Sequence, residues 1–221
     1  MSELTLKDVM KDVEVRALLR ASAVQMTTLG YTEHSFRHCR LVALQCGRIL
    51  RELGFPERTA QLGELAGYLH DIGNAVGRVD HPQSGAVLTY DYLRRTGMQS
   101  EEAIAIMMAV ANHDEETGIP VNEVGAALIL SDKADVHRSR VTNRDRTTFD
   151  IHDRVNYAAT KSTLEVDAEE KTAILNLTID TEISAVMDYF EIFLVRMKMC
   201  RTAAQFLGLQ FQLLINGNRL L

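Results

Sequence analysis

Between positions 38 and 132 the sequence spaces six side chains whose types suit cation binding: His38, His70, Asp71, His81, His113 and Asp132. A single histidine near an apolar face is more often a satisfied core or surface residue than a ligand, so the placement of the set is what counts. His38 heads an apolar stripe with Val42, Cys46 and Ile49. His70-Asp71 closes a periodic stretch just before Ile72-Gly73, and His81 immediately precedes Pro82. His113 ends the stripe Ile106, Ala109, and Asp132 lies four residues from both Leu128 and Val136, which aims a carboxylate at the core. A buried carboxylate costs several kcal/mol unless it is paired or coordinates a metal. Mixed imidazole and carboxylate ligation suits Fe, Mn, Co, Ni or Zn better than Mg. The adjacent His70-Asp71 pair could serve two ions, with Asp71 bridging while His70 binds one. Two ions roughly 3.5–4 Å apart activate a water between them and clamp a phosphoryl oxygen.

These residues must be positioned by helices. Pro56, Pro82 and Pro120 each stand where a helix could begin, because proline's missing N–H is an orphan in the first turn anyway. Gly54, Gly73, Gly97 and Gly118 follow periodic stretches as C-terminal caps do. The pattern predicts helices over 7–29, 32–53, 57–72, 82–96, 100–113 and 121–139, with Val42, Cys46, Ile49 and Leu53 recurring at helical intervals. After Arg140 the segment to Asp150 is polar and basic, and 151–159 suits a short helix. Thr163–Val166 and Thr172–Ile179 read as a hairpin turning at Asp167–Glu170. Thr181 would cap a long helix over 182–206, and Phe211–Asn216 could add a third strand. The expected fold is mainly α, a helical bundle with a small antiparallel sheet and a long C-terminal helix. The expected division is a metal-binding helical domain over 1–160, with the hairpin and long helix of 161–221 packed on it.

Composition bounds the rest. The 221 residues are 46% hydrophobic and 24% charged, with a formal net charge of -6, ordinary for a chain that buries a core. That charge does not invite non-specific binding to nucleic acid or anionic lipid. No aromatic platform interleaves with the basic segment and tryptophan is absent, which weighs against nucleic-acid binding. The longest apolar run, Ile104–Ala111, is too short for a membrane span. The first residues have no basic or apolar region of a secretory signal. Cys39, Cys46 and Cys200 form no CxxC pair, so a reducing, cytoplasmic location is expected.

The order His38 … His70-Asp71 … Asp132 resembles the H…HD…D signature of the HD superfamily of metal-dependent phosphohydrolases. The neighbouring residues agree: His38-Cys39-Arg40-Leu41-Val42-Ala43-Leu44, Leu69-His70-Asp71-Ile72-Gly73-Asn74 and Ser131-Asp132-Lys133-Ala134-Asp135. The resemblance covers about residues 30–140. It implies that His38, His70, Asp71 and Asp132 hold one divalent ion and that Asp71, His81 and His113 hold a second. It further implies that a hydroxide between the ions attacks phosphorus in line. Asn74, Asn112-His113 and Gly118-Ile119-Pro120 depart from the cyclic-dinucleotide phosphodiesterase branch, which carries a lysine, a His-His doublet and Gly-Tyr-Pro there. No Glu-Asp pair of the alarmone-hydrolase branch follows the doublet. No subfamily follows from the residues.

Around this set, Lys133 either neutralises a phosphate oxygen or is a surface lysine, since a helix turns it about 100° from Asp132. His34, one turn before His38, could line the pocket mouth or orient a metal-bound water; Glu33 reads as a first-turn charge favourable to the helix dipole. Arg37 either reaches over the metals toward substrate or joins Arg40 and Arg48 on a solvated face. Arg138, Arg140, Arg144 and Arg146 could recruit a phosphorylated substrate; the alternative is a solvated loop balanced by Asp145, Asp150 and Asp153. His137 and His152 read as structural. The expected function is hydrolysis of a phosphomonoester or of a nucleotide's phosphodiester or phosphoanhydride bond. The alternative is a catalytically silent nucleotide- or metal-binding sensor. The expected partner is a small phosphorylated molecule, with no nucleic acid and no membrane, and a homodimer through the long helix or hairpin edge is compatible.

Overall fold

The structure is a computed structural model that describes residues 3–32, 34–115 and 118–220, so Glu33 lies outside the described residues. Its helices are α1 (Leu6–Lys11), α2 (Val13–Thr28), α3 (Phe36–Glu52), α4 (Glu57–Leu69), α5 (His81–Arg95), α6 (Ser100–Ala111), α7 (Glu123–Lys133), α8 (Ile151–Ala158) and α9 (Val186–Phe206). The strands are β1 (Ala159–Asp167), β2 (Thr172–Ile179), β3 (Gln210–Ile215) and β4 (Asn218–Arg219). The fold is mainly helical with a small sheet, as the sequence pattern implies.

Several boundaries differ from the periodicity; α3 begins at Phe36 rather than at 32, and α4 ends at Leu69 rather than at 72. The stretch predicted as one helix over 7–29 breaks at Asp12, whose backbone is extended and whose side-chain oxygen accepts from the N–H groups of Glu14 and Val15, which starts α2 afresh. The helix predicted over 121–139 ends at Lys133, and the chain runs on to a short 3-10 turn at Arg138–Arg140. The long C-terminal helix begins at Val186 rather than after Thr181.

Helix α7 organises the body. Every residue from Val124 to Lys133 is buried, because α7 is enclosed by α3, α4, α6 and α9. Apolar side chains on all its faces satisfy that enclosure. The buried polar residues near its end, Asp132 and Lys133, therefore need partners inside the protein. Helices α3 and α4 approach closely at Gly67, where a Cβ would sit 2.7 Å from the Cα of Ala43. That approach sets the His38 end of α3 beside the His70 end of α4.

The sheet order is β1-β2-β3-β4. β1 and β2 are antiparallel, but β3 lies parallel to β2, pairing Leu175 with Leu213, so the expected all-antiparallel sheet is corrected here. The reason is connectivity: α9 carries the chain back across the sheet between β2 and β3, and a helical crossover returns a strand parallel to the one before it. Asn216-Gly217, both at positive φ, turns β3 into β4. One apolar core runs continuously from the helical body into α9, β2 and β3.

Candidate metal centre

Four imidazoles reach the centre from four elements, and each is oriented through Nδ1. His38, in the first turn of α3, donates from Nδ1 to the Asp135 carboxylate at 2.8 Å. His70, just past α4, donates to the Gly67 carbonyl at 2.8 Å, and His113, past α6, to the Val110 carbonyl at 2.6 Å. His81, at the start of α5, donates to the Arg78 carbonyl at 3.1 Å. With Nδ1 committed, each ring presents Nε2 as the lone-pair nitrogen, the arrangement that second-sphere partners impose on metal-binding histidines. The rings touch edge to face in sequence, His38 with His70 at 5.2 Å, His70 with His113 at 5.0 Å and His113 with His81 at 5.1 Å between centroids.

The carboxylates are held in the same way. Asn74 donates from Nδ2 to Asp71 Oδ1 at 2.8 Å, which leaves Oδ2. Lys133 Nζ lies 2.7 Å from Asp132 Oδ2, which leaves Oδ1. Gly73 permits the turn behind Asp71, since a Cβ there would meet the His81 carbonyl oxygen at 2.0 Å and the Gly85 nitrogen at 2.5 Å.

The inward atoms crowd without satisfying one another. His38 Nε2 is 3.2 Å from Asp132 Oδ1, and His70 Nε2 is 3.3 Å from Asp71 Oδ2. Yet His38 Nε2, His70 Nε2 and Asp71 Oδ2 are buried with no hydrogen-bond partner. Orphaned buried polar atoms are rare and call for an explanation. Three sets of ligand atoms, each within 4.8 Å of one another, could hold a cation: His38, His70 and Asp71; His70, His113 and Asp132; Asp71, His81 and His113. The residues present thus fit divalent metal. Arg78 Nη1 also lies 3.2 Å from His81 Nε2, so ligation by His81 requires that guanidinium to swing aside, toward Asp114 at 3.6 Å.

The charges fit the same chemistry. Burial works against an ionised Asp71, but the surrounding imidazoles of His70, His34 and His38 outweigh it and hold the carboxyl well below its usual range. Asp132 is held low against burial by Lys133 and His38. Burial drives His113 well below the usual imidazole value, reinforced by His70 and Lys133, and lowers His81. Burial also works against a charged His70, but Asp71 outweighs it and raises that imidazole. Neutral His81 and His113 beside ionised carboxylates are forms that bind metal, and a bound cation would take the place of the proton that Asp71 favours on His70.

A cavity of about 460 Å³ opens over the cluster, lined by Asp71, His81, His113 and Asp132 at its base. The structure brings together all six residues of the expected ligand set. It places Lys133 and Arg140, both buried, on the cavity lining. Lys133 is no surface lysine: its side chain folds back to Asp132 despite the turn of the helix. His34 also lines the cavity; burial drives its imidazole well down, and its Nδ1 donates to the Thr32 carbonyl at 2.6 Å. Arg37, Arg138 and Arg144 are not brought to the lining. Arg37 Nη2 turns instead to Asp135 at 3.0 Å, the Arg138 guanidinium lies over the Tyr157 ring at 5.2 Å, and Arg144 is exposed.

Several lining residues carried no sequence signal. Arg78, Asp114, Glu115 and Arg196 join the wall, and so do Asp150, His152 and Asp153. Asp135, behind the site, is the most consequential. Its carboxylate is held well below its usual range, against burial, by His38, Arg140 and Arg37. Its spacing of three from Asp132 is the one signal that could have found it. Asp135→Asn is expected to weaken metal binding about 10–100-fold, the usual cost of losing an outer-shell partner of a metal-binding histidine. Calorimetric titration with Mn²⁺ measures this; unchanged affinity would remove Asp135 from the support of the site.

A protein-family model described as HD domain matches residues 35–138. A protein named ribonuclease Y from Syntrophobacter fumaroxidans is 40% identical over 102 residues, covering 45% of this chain and 17% of that protein. One of the same name from Oleidesulfovibrio alaskensis is 35% identical over 102 residues, with the same coverage of each. The match thus spans under a fifth of the length of these relatives.

Proposed function

Because the chain carries an HD domain over residues 35–138, we propose that it is a divalent-metal-dependent phosphohydrolase with a binuclear centre. His38, His70, Asp71 and Asp132 would hold one ion, and Asp71, His81 and His113 the other. The three buried ligand atoms without hydrogen-bond partners carry this proposal. When bound, such ions activate water as a nucleophile and neutralise charge on a phosphoryl oxygen.

The chain's own residues do the rest. Asn74 and Lys133 each take one oxygen of a carboxylate and aim the other inward. The buried Lys133 ammonium stays charged, because Asp132 and Glu115 outweigh the effect of burial. It supplies fixed positive charge where a phosphoryl group gathers negative charge. His34 lines the same cavity as an imidazole that burial keeps neutral. Arg140 and Arg196 line the same cavity, with guanidinium groups suited to phosphate oxygens.

The test is removal and return of metal. Chelation is expected to abolish hydrolysis of p-nitrophenyl phosphate and lower the melting temperature, and Mn²⁺ to restore both. At a metal concentration a hundred times Kd, binding stabilises the folded chain by about 2.7 kcal/mol. Stoichiometric metal without hydrolysis of any phosphate ester in a broad panel would overturn the enzyme and leave a metal-binding sensor.

A further inference from the structure

Part of the cavity lining is built by chain beyond residue 138, where the HD family match ends: Asp150 before α8, Asp153 and Asn156 on it, and Ile192, Phe193 and Arg196 on α9. Resting on the phosphohydrolase function above, we propose that the substrate is a small phosphomonoester. It would carry one terminal phosphate on an organic group no larger than a nucleoside, and α8 and α9 would close the pocket to an RNA chain.

Three observations converge on this. The volume of about 460 Å³ lies within the range of roughly 300–1,000 Å³ that encloses a single small molecule. An RNA chain must pass on both sides of its scissile phosphate, along an open groove whose cations track the backbone. Here the cations Arg78, Lys133, Arg140 and Arg196 line one cavity rather than track a groove, and Asp150 and Asp153 on the same lining disfavour a second and third phosphate. The α9 part of that lining pairs an aromatic ring with a cation: the Arg196 guanidinium lies 4.2 Å from the centroid of Phe193 and is anchored to Glu115 at 2.8 Å. A guanidinium anchored in this way can meet a planar organic group or its oxygen atoms.

In the proposed reaction water oxygen bonds to phosphorus as the bond from phosphorus to the ester oxygen breaks. One water proton ends on the released alcohol, and the other stays with inorganic phosphate.

The experiment compares substrates on the full chain loaded with Mn²⁺. A set of nucleoside monophosphates and p-nitrophenyl phosphate is assayed beside a short RNA oligonucleotide lacking terminal phosphates. Binding is followed separately, by thermal shift for the monophosphates and by fluorescence anisotropy for the RNA. At least one monophosphate is expected to be hydrolysed with a kcat/KM at least about a hundredfold above that for RNA, a discrimination that a shaped polar site can supply. The same compound should raise the melting temperature, while RNA should show no saturable binding. RNA cleavage at comparable or higher efficiency would overturn the substrate class and leave the phosphohydrolase standing. Bound metal with neither monophosphate nor RNA hydrolysed would overturn both.

Discussion

Asp71→Ala is expected to lose both metal ions and to lower phosphate-ester hydrolysis by about 10³-fold or more, the loss that follows when several kcal/mol of metal-supplied stabilisation disappear. Asp71 belongs to two of the three ligand sets, one with His38 and His70 and the other with His81 and His113. Its Oδ2 is among the buried atoms without a hydrogen-bond partner, and Asn74 fixes the other oxygen. Asp132 does not replace it, because it is already turned to Lys133 and His38. His81→Ala should behave differently, removing one ion and sparing the set built on His38. Elemental analysis of the two purified variants separates these outcomes. An Asp71→Ala chain that retained the parent's metal content would sink the bridging role, even if its activity fell.

The candidate metal ligands were legible because each lies on an element whose period or cap is local. His38 is read from the α3 stripe, and His70-Asp71 from the end of α4 before Gly73. Asp132 is read from an apolar helix too buried to tolerate an unpaired carboxylate. The supporting residues were harder, because tertiary packing assigns them. Asp135 looked like one more helical residue, yet the helix ends at Lys133 and carries Asp135 within reach of His38, Arg37 and Arg140.

The basic segment shows the same limit. Arg138 and Arg146 both lie against Tyr157, eleven or more positions away, and only Arg140 of the clustered arginines turns into the cavity. Arg196 reaches the site because α9 packs on α7, a contact between distant parts of the chain with no spacing to announce it. The parallel placement of β3 has a similar origin: the strand itself was visible, but its direction depended on where α9 delivered it.

Lys133→Met is expected to lower kcat by about 10²–10³-fold while leaving metal content near that of the parent, the range seen when one preorganised transition-state donor is removed. The methionine keeps most of the stem volume in a buried site, so the substitution acts mainly on charge. Loss of the ammonium frees Asp132 Oδ2 but removes no ligand, and Glu115 keeps Arg196 as a partner at 2.8 Å. A folded, metal-loaded variant should therefore be slow rather than empty. If Lys133 acted only in holding substrate, KM would rise and kcat would stay near the parent's. If it served only to neutralise Asp132, metal content would change and the rate per bound metal would not. A fall in kcat at full metal content, with a melting temperature close to the parent's, is the one result that places the Lys133 charge beside the reacting phosphoryl group.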